Sequence, residues 1–195
     1  AHGNLKEETA FNNFIAMGVT TIGLGQDGSS PIINDFRSWR DEIHRRGLGP
    51  NVAMFVGHGS LRAHLGIARD TPTASQMESM KALLAQHLEF CFGMSTGLEY
   101  VPGLYAGAEE LKQLAKVTGE HNRIIASHMR NEDDGDVEAS IDELLAQGHY
   151  APVHISHLKS VYGKGAERAE QLLLKLRQAR EEGIRITADV YPYMA

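Results

Sequence analysis

Histidines and aspartates stand where apolar runs of this chain give way to polar residues. Asp27 lies in Gln26-Asp27-Gly28, after the β-branched run that begins at Gly18, and His58 follows Asn51 to Val56 between two glycines. His128 heads His128-Met129-Arg130, His157 lies in Ile155-Ser156-His157-Leu158-Lys159, and Asp189 leads into Val190-Tyr191-Pro192-Tyr193. His2 sits at the very start. Nitrogen and oxygen donors brought to one point by several rigid elements are what a hydrolytic zinc site needs, with one position open for water.

Each residue also has a plainer reading. A single strand-end histidine is commonly a hydrogen-bonded surface group, and for His128 and His157 both readings stand open. Asp27 suits a turn, because aspartate tolerates such backbones. His58 suits a tight loop that its glycine neighbours allow. His44, His87, His121 and His149 fall on helices or helix ends and read as structural. Cys91, at the end of an apolar helix, reads as a buried small hydrophobe. The acidic run Asn131 to Asp134 reads as a solvated approach to a helix, favoured by the positive helix start.

The elements that must position these residues alternate. Strand patterns cover 18–25, 51–56, 92–95, 123–127, 153–156 and 184–190. Helical patterns cover 34–46, with Asn34 as N-cap and Gly47 at the C-terminus, then 75–90, 108–119, 137–147 and 166–182. Met77, Met80, Leu83, Leu84 and Leu88 recur near helical spacing and belong to a core. Strands alternating with helices mean βαβ units and a parallel sheet, with the active site in the loops after the strands' C-terminal ends. No Gly-x-Gly-x-x-Gly fingerprint follows the first strand, so a nucleotide-binding open sheet loses support. A closed barrel of eight strands would be incomplete with six. Spacing alone leaves a parallel α/β domain with a possible two-histidine metal site and no substrate.

Composition narrows the class. The chain has 195 residues, 42% hydrophobic and 23% charged, which fits one ordinary globular domain and excludes disordered, collagen-like and coiled-coil chains. Its net charge is −6 with no basic run, so nucleic acid is not an expected partner. No run approaches the ~20 apolar residues that span a bilayer, so no membrane partner is expected either. The single cysteine excludes an intrachain disulfide and a multi-cysteine zinc cage, and fits a reducing, cytoplasmic compartment.

Six motifs then resemble one family. They are Gly18-Val19-Thr20-Thr21, Gly57-His58-Gly59-Ser60-Leu61-Arg62, and Gly93-Met94-Ser95-Thr96-Gly97-Leu98-Glu99-Tyr100, followed by Ser127-His128-Met129-Arg130-Asn131-Glu132, Ile155-Ser156-His157-Leu158-Lys159 and Asp189-Val190-Tyr191-Pro192-Tyr193. In this order and nearly end to end, they are similar to motifs of the N-acyl-D-amino-acid deacylases, or D-aminoacylases, of the amidohydrolase superfamily. The resemblance implies a (β/α)8 TIM-type barrel of the metal-dependent hydrolase kind, present as an incomplete piece of about six strands. Residues 1–195 are then one partial catalytic barrel domain. The first strand, the last strands with the general-base aspartate, and the family's small β-domain are missing.

The same resemblance carries roles to positions. His128 and His157 match the two histidines of a tight zinc site, and a second zinc is allowed. His2 matches the second histidine of a His-x-His pair whose first member is absent. Asp27 stands where members often have cysteine, a harder donor in place of a thiolate; Glu99 is the weaker candidate for that carboxylate. Tyr100, Lys159 and Tyr191 match positions that contact the substrate's carboxylate. The implied partner is a small N-acyl-D-amino acid, hydrolysed at its amide to a carboxylate and a free D-amino acid. Without the general base, the chain alone is expected to be inactive, and unpaired barrel edges are expected to promote self-association. The rivals are a cyclic-amide hydrolase of the dihydroorotase or hydantoinase kind, disfavoured because 93–100 holds no lysine, a non-catalytic α/β binding module, and an aldolase using Lys159.

Overall fold

The computed structural model describes Leu5 and residues 7–191. Six strands, β1 (Thr21–Leu24), β2 (Asn51–Gly57), β3 (Gly93–Gly97), β4 (Ile124–His128), β5 (Val153–Ile155) and β6 (Ile186–Ala188), form one sheet in simple chain order. Every pairing is parallel. The sheet curls as part of a barrel, and the incomplete (β/α)8 architecture expected from the motifs is borne out. Helix α1 (Asn12–Ala16) precedes β1, and helices α2 (Phe36–Arg46), α3 (His58–His64), α4 (Ala74–Leu88), α5 (Ala108–Glu120), α6 (Val137–Gly148) and α7 (Gly165–Glu181) join the strands. Among the described residues no helix is long and apolar enough to cross a membrane.

The core forms where helix stripes meet the strands. Met80, Leu84 and Leu88 of α4, Leu114 of α5, and Ile141 and Leu144 of α6 are fully buried with Met94, Ile125 and Ile155 of the sheet. The methionines at helical spacing are core, as their spacing predicts, and Cys91 is buried among apolar neighbours. β3 is buried along its whole length.

Among the boundaries that differ from the sequence pattern, three have a hydrogen-bond cause. The first strand begins at Thr21 rather than Gly18, because Gly18 and Val19 donate back to Ile15 and Phe14 and finish the turn after α1. The cap of α2 is Asp35 rather than Asn34, since its Oδ1 accepts the Ser38 N–H at 3.0 Å. The last strand begins at Ile186, because Ile184 still donates to Ala179 at the end of α7. Register brings the strand ends level: Gly97 pairs with His128 across β3 and β4, and Ser127 with Ile155 across β4 and β5. That alignment sets the tips of β3, β4 and β5 side by side.

Candidate metal centre

Asp27 reaches this end of the sheet on the loop after β1. Its backbone is left-handed, with φ of 54°, a region that aspartate tolerates better than most residues. The loop lies directly on neighbouring backbone. A Cβ on Gly97 would fall 2.2 Å from the Asp27 carbonyl oxygen, and one on Gly57 would fall 2.5 Å from that of Gly28. Only glycine at the ends of β2 and β3 lets the Asp27 loop settle there. The Gly28 N–H also donates to Ser95 Oγ at 3.2 Å.

His128 closes β4 and is 5% exposed, while His157 follows β5 with a left-handed φ of 43°. Asp189 holds that strained turn from three sides. Its carboxylate accepts the His157 N–H, its carbonyl accepts the Leu158 N–H at 2.9 Å, and its own N–H donates to Ile155. His154 on β5 approaches the other carboxylate oxygen at 3.3 Å.

The two rings meet with His128 Nδ1 2.9 Å from His157 Nε2. Each ring's other nitrogen faces a carboxylate: His128 Nε2 lies 2.6 Å from Glu99 Oε2, and His157 Nδ1 lies 3.0 Å from Glu132 Oε1. An ionised carboxylate can only accept, so it draws the imidazole proton to the outer nitrogen. Two inner lone pairs then face each other at 2.9 Å, an arrangement that needs a shared proton or a cation between them. One oxygen of Asp27 joins them, with the ligand atoms of Asp27, His128 and His157 all within 4.8 Å of one another. Two imidazole nitrogens and a carboxylate are a donor set that suits zinc. Glu99, His128 and Glu132 form the other such grouping among the described residues.

The electrostatics follow from the same contacts. Burial alone would push the Glu132 carboxyl up, but His157 and Lys159 more than reverse this and hold it below the ordinary 4.5. The hydrogen bond that His157 donates to Glu132 raises the imidazole above 6.5, against burial and the nearby Lys159 ammonium. Burial, followed by the charges of Asp27, Glu99 and Glu132, raises the Tyr100 hydroxyl above 10.0, so it stays a proton donor near neutral pH.

The remaining candidates pack around the two histidines. Lys159 ion-pairs with Glu132 and lies 5.5 Å over the Tyr191 ring, and Tyr191 packs 6.0 Å from His157. The Tyr100 hydroxyl lies 3.3 Å from His128 Nδ1, the same nitrogen that His157 Nε2 approaches at 2.9 Å. Lys159 and Tyr191 thus stand beside His157, and Tyr100 stands beside His128. His2 lies outside the described residues.

Two residues of the site escaped sequence reading. Glu132 belongs to the acidic run read as solvated, yet it is 7% exposed and turned onto His157; its position four residues after a strand-end histidine was the available signal. Asp189 was noted at a strand end without a role. His58 is a strand-end histidine that does not join the centre. It opens α3, fully buried, with Nε2 2.7 Å from Glu110 Oε1, while Arg62 Nη1 meets Glu110 Oε2 at 2.6 Å. This trio fastens α3 to α5. His87 and His121 hold backbone groups and are structural, as their helical positions predict.

Fold and site together define a class: a partial (β/α)8 barrel whose strand ends carry imidazole and carboxylate groups, of the amidohydrolase kind. Within that class, the chain is similar to the N-acyl-D-amino-acid deacylases over nearly its whole described length, and the resemblance read from its motifs is borne out. An N-acyl-D-glutamate deacylase of Alcaligenes xylosoxydans xylosoxydans is 35% identical over 182 residues, covering 90% of this chain and 37% of the relative. A D-aminoacylase of the same organism is 31% identical over 183 residues, covering 89% of this chain and 36% of the relative. The chain thus spans little more than a third of these relatives' length. Among solved structures, the N-acyl-D-glutamate deacylase of Bordetella bronchiseptica, complexed with zinc and a phosphonate mimic of the tetrahedral intermediate, superposes with a TM-score of 0.88. It is 31% identical, and the match covers 96% of this chain and 44% of that one. No family model matches.

Proposed function

We propose that residues 1–195 are the metal-holding part of a zinc-dependent hydrolase that cleaves the amide of N-acyl-D-amino acids to a carboxylate and a free D-amino acid. The convergence of ligand atoms of Asp27, His128 and His157 within 4.8 Å of one another, with His128 Nδ1 and His157 Nε2 2.9 Å apart, carries this reading. Asp27 rather than Glu99 supplies the carboxylate, because Glu99 is spent on the outer nitrogen of His128. His2 is a further ligand in this reading, and a second ion would have to draw Glu99, His128 and Glu132 out of the contacts they now make. When bound, zinc polarises the amide carbonyl and acidifies water.

The chain's own groups do the rest. Lys159 and Tyr191, beside His157, receive the substrate's carboxylate and fix the amide's direction. Tyr100 presents its hydroxyl proton beside His128. Among the described strand ends no group is assigned as the general base, and the 195 residues by themselves are expected to hold metal without turning over. Its curled sheet pairs β1 and β6 on one side only among the described residues, and those edges support self-association; a monodisperse monomer in light scattering would remove that part.

Metal content by mass spectrometry tests the centre, on the native chain and with His128 and His157 both changed to alanine. Zinc in the native chain and none in the double variant is expected; no zinc in either sinks the reading. N-acetyl-D-glutamate is the first substrate to try, because similar enzymes are named for N-acyl-D-glutamate. Zinc-dependent deacylation by the 195-residue chain alone would show that it carries its own base.

A further inference from the structure

Asp27 sits in a turn whose backbone is left-handed at three of its four residues, with φ of 83° at Gly25, 54° at Asp27 and 75° at Gly28. Glycine takes such angles freely, but an aspartate stays there only when its surroundings over-determine it. The side chain of Ser95, on β3 and fully buried, does this for both ends of the turn. Its hydroxyl donates to the Gly25 carbonyl and accepts the Gly28 N–H at 3.2 Å. In a simple β-turn those two backbone groups would bond each other. Here one side-chain oxygen stands between them and fastens the turn to the sheet.

The strands leave room for that contact. Ser95 pairs with Gly57 on one side and Ala126 on the other, and Gly97 follows on the same face of β3. A Cβ at Gly57 or Gly97 would strike the turn, so it reaches the Ser95 hydroxyl only between two glycines. Past the turn, α3 holds the chain through Ser60. The Ser60 N–H donates to the Gly28 carbonyl at 3.1 Å, and its Oγ accepts the Ser30 N–H at 2.9 Å. The short side chain of aspartate has two torsions, so the place of its carboxylate follows the place of this backbone. Metal–ligand distances tolerate an error of only about 0.2 Å.

Resting on the zinc reading above, we infer that Ser95, with Ser60 behind it, is a positioning residue for the metal. The two serines give the ion no ligand and act through Asp27.

A double-mutant cycle on the chain separates this role from a general loss of stability. Zinc affinity is measured by competition with a chromophoric chelator for the parent, Ser95→Ala, Asp27→Gly and the double variant. Asp27→Gly removes the carboxylate and keeps the left-handed backbone. Ser95→Ala should weaken zinc roughly tenfold or more in the parent. In the Asp27→Gly background it should change affinity less than about twofold, because no coupling is left to lose. Cobalt at saturating concentration gives a spectroscopic reading. The visible bands of Ser95→Ala should move from those of the parent toward those of Asp27→Gly, which lower stability alone would not cause. Ser60→Ala, at a half-buried position, should show the same pattern more weakly, and it carries the test if Ser95→Ala does not fold. Equal losses of affinity in both backgrounds, or parental affinity and spectrum in the serine variants, overturn the inference while the zinc reading stands. Unchanged zinc affinity in Asp27→Gly removes Asp27 from the zinc reading, and the inference falls with it.

Discussion

Glu132 Oε1 sits 3.0 Å from His157 Nδ1, and this contact sets which nitrogen of His157 turns toward His128. With the proton held at Nδ1, Nε2 is left as a lone pair aimed into the centre. Lys159 Nζ, 3.2 Å from the same ring nitrogen, is itself paired with Glu132, so one carboxylate ties a ligand candidate to the residue that would read the substrate. Carboxylates behind ligating histidines orient the ring and raise its basicity.

Removing that support should weaken the metal without removing a ligand. Glu132→Ala is expected to lower zinc affinity about 10- to 100-fold, read by competition with a chromophoric chelator. Glu132→Gln keeps an acceptor at Nδ1 and should fall between the two. An affinity unchanged in Glu132→Ala would mean that Asp189 alone fixes His157.

The glycines under the Asp27 loop make a second prediction. Alanine at Gly97 would place its Cβ 2.2 Å from the Asp27 carbonyl oxygen, so the loop must lift. The cost expected from such overpacking is about 1–3 kcal/mol, with zinc binding weakened at the same time because Asp27 moves. Gly135→Ala, whose Cβ meets nothing within 4 Å, should stay within about 0.5 kcal/mol of the parent. Chemical denaturation and chelator titration of both variants check it; equal behaviour would show that the loop is not clamped.

The alternation of strands and helices was legible because each period repeats locally, and His128 and His157 were legible because both end apolar runs. What the sequence could not show depended on distant chain. Glu132 looks solvated among Asn131, Asp133 and Asp134, and only the approach of His157 and Lys159 from the next βα unit gives it a buried role. His58 looks like a site residue, flanked by Gly57 and Gly59. Its burial follows from Glu110, 52 residues away, which no spacing rule connects to it.

Asp27 offers a test of ligand chemistry. Asp27→Cys supplies a softer thiolate, so selectivity for zinc over manganese should rise. The left-handed backbone at this position, φ 54°, suits cysteine less well than aspartate, and the metal-free variant should lose about 1 kcal/mol. Competition titration with the two metals measures the first effect and urea unfolding the second. An unchanged zinc-to-manganese ratio would mean that residue 27 is not a ligand.

The buried trio of His58, Arg62 and Glu110 governs stability rather than chemistry. Burial alone would raise the Glu110 carboxyl, but hydrogen bonds and charges from His58 and Arg62 win, and it lies below its ordinary 4.5. A carboxyl lowered on folding contributes stability that is fully present above its unfolded value and lost as pH falls through the folded one. Unfolding free energy should therefore decline with acid below about pH 4.5, and the part due to Glu110 should vanish in its variants. Glu110→Leu strands the Arg62 guanidinium, whose side chain is 0% exposed, and should cost about 3–5 kcal/mol. Arg62→Met added to Glu110→Leu removes the stranded charge and should recover much of that loss. Urea unfolding at pH 7 and pH 4 for the three proteins checks both claims. A single variant as stable as the parent would show that α3 is held to α5 by packing alone.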